Sequence, residues 1–224
     1  MKHGTLLAAI DLGSNSFRLE IGRYDHGQIQ RVAYLKETVR QGNGLDEDRN
    51  LTDEAMQRGW DCLARFAERL SGFKKSQVRA VATQTLREAK NREAFLKRGC
   101  EILGFPIEVI AGTEEGRLAY SGALSHLPAH DGITLVIDIG GGSTEIMIGE
   151  KSLQHAVSFP VGTVVLTESH LSHDPPRPEE LTNAIGLVTD FMDDLIRDHP
   201  EVLDATRVVG VAGSIVTIAA VEIG

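Results

Sequence analysis

The chain has 224 residues, 42% of them hydrophobic, a formal net charge of −9 and two cysteines. That is enough apolar material for two modest packed domains. No apolar run reaches membrane-spanning length, and Leu6 to Ile10 is too short and too soon followed by Asp11 to be a signal peptide, so a cytoplasmic protein without a membrane partner is expected. The negative balance also excludes a protein that coats nucleic acid, although the charge is uneven: residues 1–100 hold 18 Lys/Arg against 13 Asp/Glu, and residues 101–224 hold 5 against 19. The first part is suited to receive a polyanion and the second to supply carboxylates; equally, both are solvated faces of uneven composition.

In chain order, alternating apolar residues predict strands at about 6–12, 16–24 and 28–40, an antiparallel meander closed by the loop Gln41-Gly42-Asn43-Gly44. Thr52 then caps a helix with Asp53 and Glu54 in its first turn. Met56, Trp60, Leu63, Phe66 and Leu70 recur at steps of three and four before Gly72 ends it. A strand at about 77–82, helical sequence over about 84–103, a strand near 107–110 and a helix over about 113–125, with Thr113 as a capping residue, complete an α/β unit. Leu127 to Gly132 interrupts the pattern and divides a first domain, 1–126, from a second, 127–224. The second begins with the strand Ile133 to Asp138 and continues with strands through about 159 and a helix from about 162. A Pro-rich loop from Asp174 to Pro178, a helix over about 179–198, a strand from Arg207 to Val211 and the small-residue turn Ala212-Gly213-Ser214 follow, and Ile215 opens another helix. The pattern reaches Gly224 without a closing element, so a longer parent protein is expected. Cys62 and Cys100 lie in helical patterns without a CxxC partner and read as reduced structural residues; Pro175 and Pro176 break the helix that His170 and His173 would need to act as a zinc pair.

The most informative feature is a repeat. Ile10-Asp11-Leu12-Gly13-Ser14-Asn15-Ser16 returns in enriched form as Ile137-Asp138-Ile139-Gly140-Gly141-Gly142-Ser143-Thr144-Glu145. Each copy is an apolar strand carrying a carboxylate near its end, a Gly/Ser turn, and a second alternating strand: a β-hairpin with a functional tip. Small residues let backbone N–H groups approach an anion closely. One such tip is as readily an ordinary turn; two matched copies argue for phosphate. Asp11 or Asp138 beside a phosphate demands a cation or a bound water between them, so Mg²⁺ is the expected cofactor. Two copies followed by crossover helices also suggest duplicated mixed-sheet domains flanking a cleft that takes the substrate.

The chain resembles the exopolyphosphatase and guanosine pentaphosphate phosphohydrolase family within the actin-like superfold. The resemblance rests on Asp11 to Ser16, Ala82-Thr83-Gln84-Thr85-Leu86-Arg87, Ala111-Gly112-Thr113-Glu114-Glu115-Gly116-Arg117, Asp138 to Glu145, and Gly210 to Ser214. It implies two actin-like (ribonuclease H-like) α/β domains, with Glu115 as the base that deprotonates water, Glu114 its near neighbour, and Arg87 as a phosphate-binding arginine. It further implies Asp138 and Glu145 at the divalent metal, and Ser14, Asn15, Ser16, Gly140, Gly141, Gly142, Ser143, Thr144 and Gly213 around phosphate. Read without the resemblance, Glu114 and Glu115 serve as well in a helix first turn, Arg87 on a helix surface, and Glu145 on a solvent-facing strand. Val211 and Ala212 depart from the family's small or hydroxyl residues, which weakens direct ligand contact there. Arg18, just past the first tip, either touches phosphate or alternates outward.

The expected activity is Mg²⁺-dependent release of terminal phosphate from inorganic polyphosphate. Removal of the 5′ γ-phosphate of guanosine pentaphosphate is the alternative, and a non-catalytic polyphosphate or alarmone sensor a second one. A kinase of the same superfold is disfavoured by Thr83 to Arg87 and Gly112 to Glu115. The sequence leaves the oligomeric state, a homodimer included, open.

Overall fold

Ala8, Ile10 and Leu12 alternate with polar or exposed positions, as do Phe17, Leu19 and Ile21, and the two runs form an antiparallel hairpin of β1 (Leu6–Leu12) and β2 (Ser16–Asp25). In the computed structural model, which describes residues 2–223, β3 (Gln28–Thr38) extends the meander as an exposed edge. Chain order continues with α1 (Asp53–Arg69), β4 (Val78–Ala82), α2 (Gln84–Glu88), α3 (Arg92–Leu103) and β5 (Ile107–Val109). The strands form one mixed sheet, β3-β2-β1-β4-β5, with β4 parallel to β1.

Thr52 caps α1 as expected, its Oγ1 accepting from the Ala55 N–H at 3.3 Å. Gly59 lets α1 and α3 meet: a Cβ there would stand 2.7 Å from the Phe95 ring. Trp60 stacks on the same ring and donates its Nε1–H to the Phe95 carbonyl at 3.1 Å. Cys62 is fully buried in α1, and burial pushes its thiol up to about 12, so it stays protonated in the core. The continuous helical stretch expected at 84–103 is instead two helices. The chain leaves the helical path at Ala89, which is extended (φ −62°, ψ 119°); beyond it Asn91 bonds both backbone groups of Leu51, at 2.8 and 2.9 Å, and Arg92 Nη1 donates to the Arg87 carbonyl in the last turn of α2.

The second sheet repeats the plan. After α4 (Gly112–Leu124), β6 (Thr134–Ile139), β7 (Thr144–Gly149) and β8 (Leu153–Phe159) form a meander. Then come α5 (Thr163–His170), α6 (Pro178–Asp198), a 3₁₀ segment (Pro200–Asp204), β9 (Arg207–Val211) and α7 (Ala212–Ile223). The order is β8-β7-β6-β9, with β9 parallel to β6 as β4 is to β1. The two units thus share one mixed-sheet α/β plan, the duplication expected from the repeated hairpin.

By their contacts the residues divide into a unit up to Ile110 and a unit from Ala111 on. The division precedes the interruption at 127–132 because α4 packs on the second sheet, with Gly116 against Met147 and Ala156, and Tyr120 and Ala123 in a cluster with Val136 and Met147. Helix α4 also starts earlier than expected. Ala111 is its N-cap and makes no side-chain cap, so Thr113 lies inside the first turn instead of capping it. At β9 the left-handed residue is Ala212 (φ 70°), the first residue of the expected small-residue turn. Gly224 lies outside the described residues. No helix among the described residues is long and apolar enough to cross a membrane.

Candidate functional site

In the first unit the tip Gly13-Ser14-Asn15 joins β1 to β2. The tip carbonyls are tied backward: Ser14 O accepts from Gly42 N at 2.9 Å, and Asn15 O from Val39 N at 3.0 Å and Arg40 N at 2.8 Å. In a trans peptide the C=O and the following N–H point in opposite directions. Anchoring these two carbonyls therefore turns the N–H groups of Asn15 and Ser16 away from the buttressing loop, toward the tip's outer side. Ser14 and Ser16 are buried and Asn15 exposed. Thr83, which follows β4, donates its N–H and its hydroxyl to Leu12 O at 3.3 and 3.4 Å, so α2 begins beside this tip. Arg87 on α2 is held by Gln84 Oε1, at 3.0 Å from Nε and 2.7 Å from Nη2, and by the Ile110 carbonyl, 3.0 Å from Nη1. That grip fixes the plane of a guanidinium suited to phosphate oxygens. Arg18 stands opposite Asp11 in the ladder, with Nη1 3.5 Å from Asp11 Oδ2.

The second tip, Gly140 to Ser143, is buttressed by a helix. Thr163 N donates to Gly140 O at 3.0 Å and Val164 N to Gly141 O at 2.8 Å, so the N-terminus of α5 binds two tip carbonyls. By the same peptide geometry, the N–H groups of Gly141 and Gly142 face away from α5 and present a concavity suited to an anion. Gly162 makes this approach possible; a Cβ there would stand 2.5 Å from Gly141 C and O. Thr144 gives its hydroxyl proton to Val161 O at 2.7 Å and so supports the turn, while Ser143 is buried beside it. Gly213 lies in the first turn of α7, just after β9, whose Val211 is the ladder partner of Asp138.

Asp138 and Glu145 are direct ladder partners across β6 and β7, so both side chains leave the same face of the sheet. Glu145 is 1% exposed, and Ser158 on β8 donates its hydroxyl to Oε1 at 2.7 Å. Glu145 is thus a buried, oriented carboxylate and not a solvent-facing strand residue. Met147 lies on that same face and packs under Gly116; one turn further on, the Tyr120 hydroxyl reaches the Glu150 carbonyl at 3.4 Å. Helix α4 therefore runs away from the tip, and its first turn, with Glu114 and Glu115, lies at the end of the sheet where Asp138 and Glu145 emerge. The two glutamates differ. Glu114 is clamped by Arg117, Oε2 to Nε at 2.6 Å and Oε1 to Nη2 at 2.9 Å, whereas Glu115 precedes Ala119 by one turn on the stripe that packs against the sheet.

Two adjacent carboxyl groups, one of them buried, offer hard oxygen donors of the kind Mg²⁺ takes, so the donor set fits the expected ion. Sequence reasoning missed Ser158, Gly162 and the α5 N-terminus. Their signal was present only as period-two alternation opposite Glu145 and as a glycine placed directly before a helix.

Residues 21–223 match the model of the Ppx/GppA phosphatase family. The chain is 46% identical over 181 residues to the guanosine-5′-triphosphate,3′-diphosphate pyrophosphatase of Vibrio atlanticus, covering 80% of this chain and 36% of that protein. It thus spans little more than a third of that relative's length. Among solved structures, an exopolyphosphatase-like protein superposes with a TM-score of 0.91 at 34% identity, over 100% of this chain and 70% of that one. The Aquifex aeolicus member of the Ppx/GppA family superposes with a TM-score of 0.74 at 33% identity, over 97% and 69%.

Proposed function

Because the chain belongs to the Ppx/GppA phosphatase family, we propose that it is a phosphoanhydride hydrolase that removes the 5′ γ-phosphate of guanosine pentaphosphate. The hydrolytic reading is carried by the ladder pairing of Asp138 with the buried Glu145 beside a glycine turn. The choice of substrate follows the relatives. The Vibrio protein, 46% identical, is named for guanosine 5′-triphosphate 3′-diphosphate, whereas the solved protein named exopolyphosphatase-like shares 34%. This reverses the order expected from the sequence, which put polyphosphate first.

In this reading Glu115 takes the proton of the attacking water as its oxygen bonds to the terminal phosphorus and the bridging P–O bond breaks, giving phosphate and guanosine tetraphosphate. The N–H groups of Gly141 and Gly142, fixed by α5, receive phosphoryl oxygens, and Ser158 keeps Glu145 oriented. Asp138 and Glu145 would hold Mg²⁺, which when bound neutralises phosphate charge. In the first unit, Ser14, Asn15, Ser16 and Arg87 bind phosphate oxygens. Exopolyphosphatase activity is the second reading, favoured by the name of the 34%-identical structure and by the cationic excess of residues 1–100.

The test is phosphate release from guanosine pentaphosphate and from long-chain polyphosphate, in parallel and with Mg²⁺, by the native chain and by Glu115→Gln. Release from the nucleotide that falls on the order of 10²–10⁴-fold in the variant supports the proposal. Release from polyphosphate alone transfers it to the second reading. Equal rates in both proteins remove Glu115 as the base, and binding without turnover by the native chain supports a sensor.

A further inference from the structure

The ends of the two sheets far from the tips carry histidines that the hydrolytic reading does not use. In the second unit His155 lies on β8, His199 ends α6, and Glu201 is in the first turn of the 3₁₀ segment. His199 Nδ1 is 3.2 Å and His155 Nε2 3.6 Å from Glu201 Oε1, the two imidazole centroids are 4.7 Å apart, and one ligand atom from each residue lies within 4.8 Å of the others. A tetrahedral ion with bonds of about 2.05 Å has ligand–ligand edges of about 3.3 Å. Two of the three edges are already close to that length.

We infer that His155, His199 and Glu201 form a binding site for a divalent transition ion of the Zn²⁺ class, separate from the Mg²⁺ expected at the glycine tip. Two imidazole nitrogens and one carboxylate oxygen suit Zn²⁺ and its neighbours, whereas Mg²⁺ prefers all-oxygen surroundings and is held off by the imidazoles. Along β8, His155 is four residues from Phe159, the partner of Thr144 at the tip, which is about 13 Å. The ions would therefore not share ligands.

Packing brings the cluster together. Phe159 on β8 meets Phe191 on α6 with ring centroids 5.1 Å apart. From Phe159 back to His155 the strand covers about 13 Å, and from Phe191 on to His199 the helix covers about 12 Å. Strand and helix thus stay in step between two contact points, and the second of these is the imidazole pair. Helix α6 buries few residues, Ala184 and Leu195, and leaves Ile185 66% exposed. An ion at its C-terminal end would fasten a lightly packed helix to the sheet, with water or another donor completing the coordination.

A second cluster, His3, Asp25 and His26, lies in the first unit. Its imidazole side chains are 66% and 86% exposed, against 49% and 24% for His155 and His199, and both meet one Asp25 oxygen at the mouth of a hairpin turn. It makes a good internal control.

The experiment titrates the full chain with Co²⁺ alone in saturating Mg²⁺, reading visible absorption, and repeats thermal melts with Zn²⁺ alone. One equivalent of Co²⁺ with the absorption of a four-coordinate ion is expected, along with a higher melting temperature in Zn²⁺. Both are expected to be lost in His155→Ala and in His199→Ala, and retained in the His3→Ala/His26→Ala double variant. Glu201→Gln should bind at least about tenfold more weakly. Melting of the single variants without metal at the native temperature shows that they fold. The proposal is overturned if Zn²⁺ leaves the native chain unchanged, if His155→Ala and His199→Ala still bind, or if only the His3/His26 variant loses the ion.

Discussion

The two hairpin tips share one geometry and differ in one charge. In each, a carboxylate sits two residues before the first tip glycine, and a Cβ on that glycine would stand 3.0 Å from the carbonyl of the serine three residues on, Ser16 for Gly13 and Ser143 for Gly140. In each, the tip carbonyls are tied back so that the next N–H groups face outward. The ladder partner of the carboxylate is Arg18 in the first tip and Glu145 in the second. At the same structural position, then, one tip neutralises its own aspartate and the other doubles the negative charge and buries part of it. The first tip can meet phosphate with no added cation. The second holds a carboxylate pair that a divalent ion would reconcile with a phosphate, and the proposed function puts the chemistry there on that ground.

Exchanging this one charge should have the largest effect. Glu145→Arg gives the second tip the charge pattern of the first and is expected to lower phosphate release on the order of 10²–10³-fold, with Glu145→Gln, which keeps the volume, close to it. The reverse exchange, Arg18→Glu, should leave the rate far less affected, because the Arg18–Asp11 pair is over a third exposed on both sides. Equal losses for the two exchanges would erase the distinction between the tips.

The buttresses differ too, a loop behind the first tip and the α5 N-terminus behind the second. Gly162→Ala places a methyl group 2.5 Å from the Gly141 backbone and should cost about 1–3 kcal/mol in denaturant unfolding, with a raised KM. Gly122→Ala, a helical glycine with nothing within 4 Å, should stabilise by up to about 1 kcal/mol and serves as the control.

The smallest effect concerns pH. The first unit neutralises carboxylates with arginine elsewhere as well: the Arg65 guanidinium bonded to Glu37 holds that carboxyl below its usual 4.5. A depressed folded pKa contributes stability above the unfolded value, and that stability is lost as pH falls through the folded one. Glu37→Gln should therefore flatten the loss of melting temperature between pH 7 and pH 3, by less than about 1 kcal/mol because the pair is partly exposed. A steeper loss in the variant would reverse the sign.

The hairpins, the capped α1 and both glycine turns were legible because period-two alternation, Thr52 and the glycine runs are local signals. Pairing of Asp138 with Glu145 was legible too, since a short tip fixes the register. Long-range bonds hid the rest. The helix breaks at Ala89 and the chain is held there by the Asn91–Leu51 bonds, and α4 joins the second unit because Gly116 fits over Met147, and neither contact leaves a mark in local periodicity. The resemblance named Glu115 as the base; that Arg117 clamps Glu114 while Glu115 shares a stripe with Ala119 needed the helix phase. The His155–His199–Glu201 cluster needed the match in length between β8 and α6.

The most direct test of the difference between the tips is divalent-ion binding itself, measured by the loss of the free Mn²⁺ resonance with inorganic phosphate present, for the native chain, Glu145→Gln and Asp11→Asn. All three would carry His155→Ala, so that no ion is taken up at the histidine cluster. The native chain and Asp11→Asn are expected to bind one Mn²⁺ that Mg²⁺ displaces, and Glu145→Gln to lose it. Retention by Glu145→Gln, or loss in Asp11→Asn alone, would contradict the assignment of the metal to the second tip.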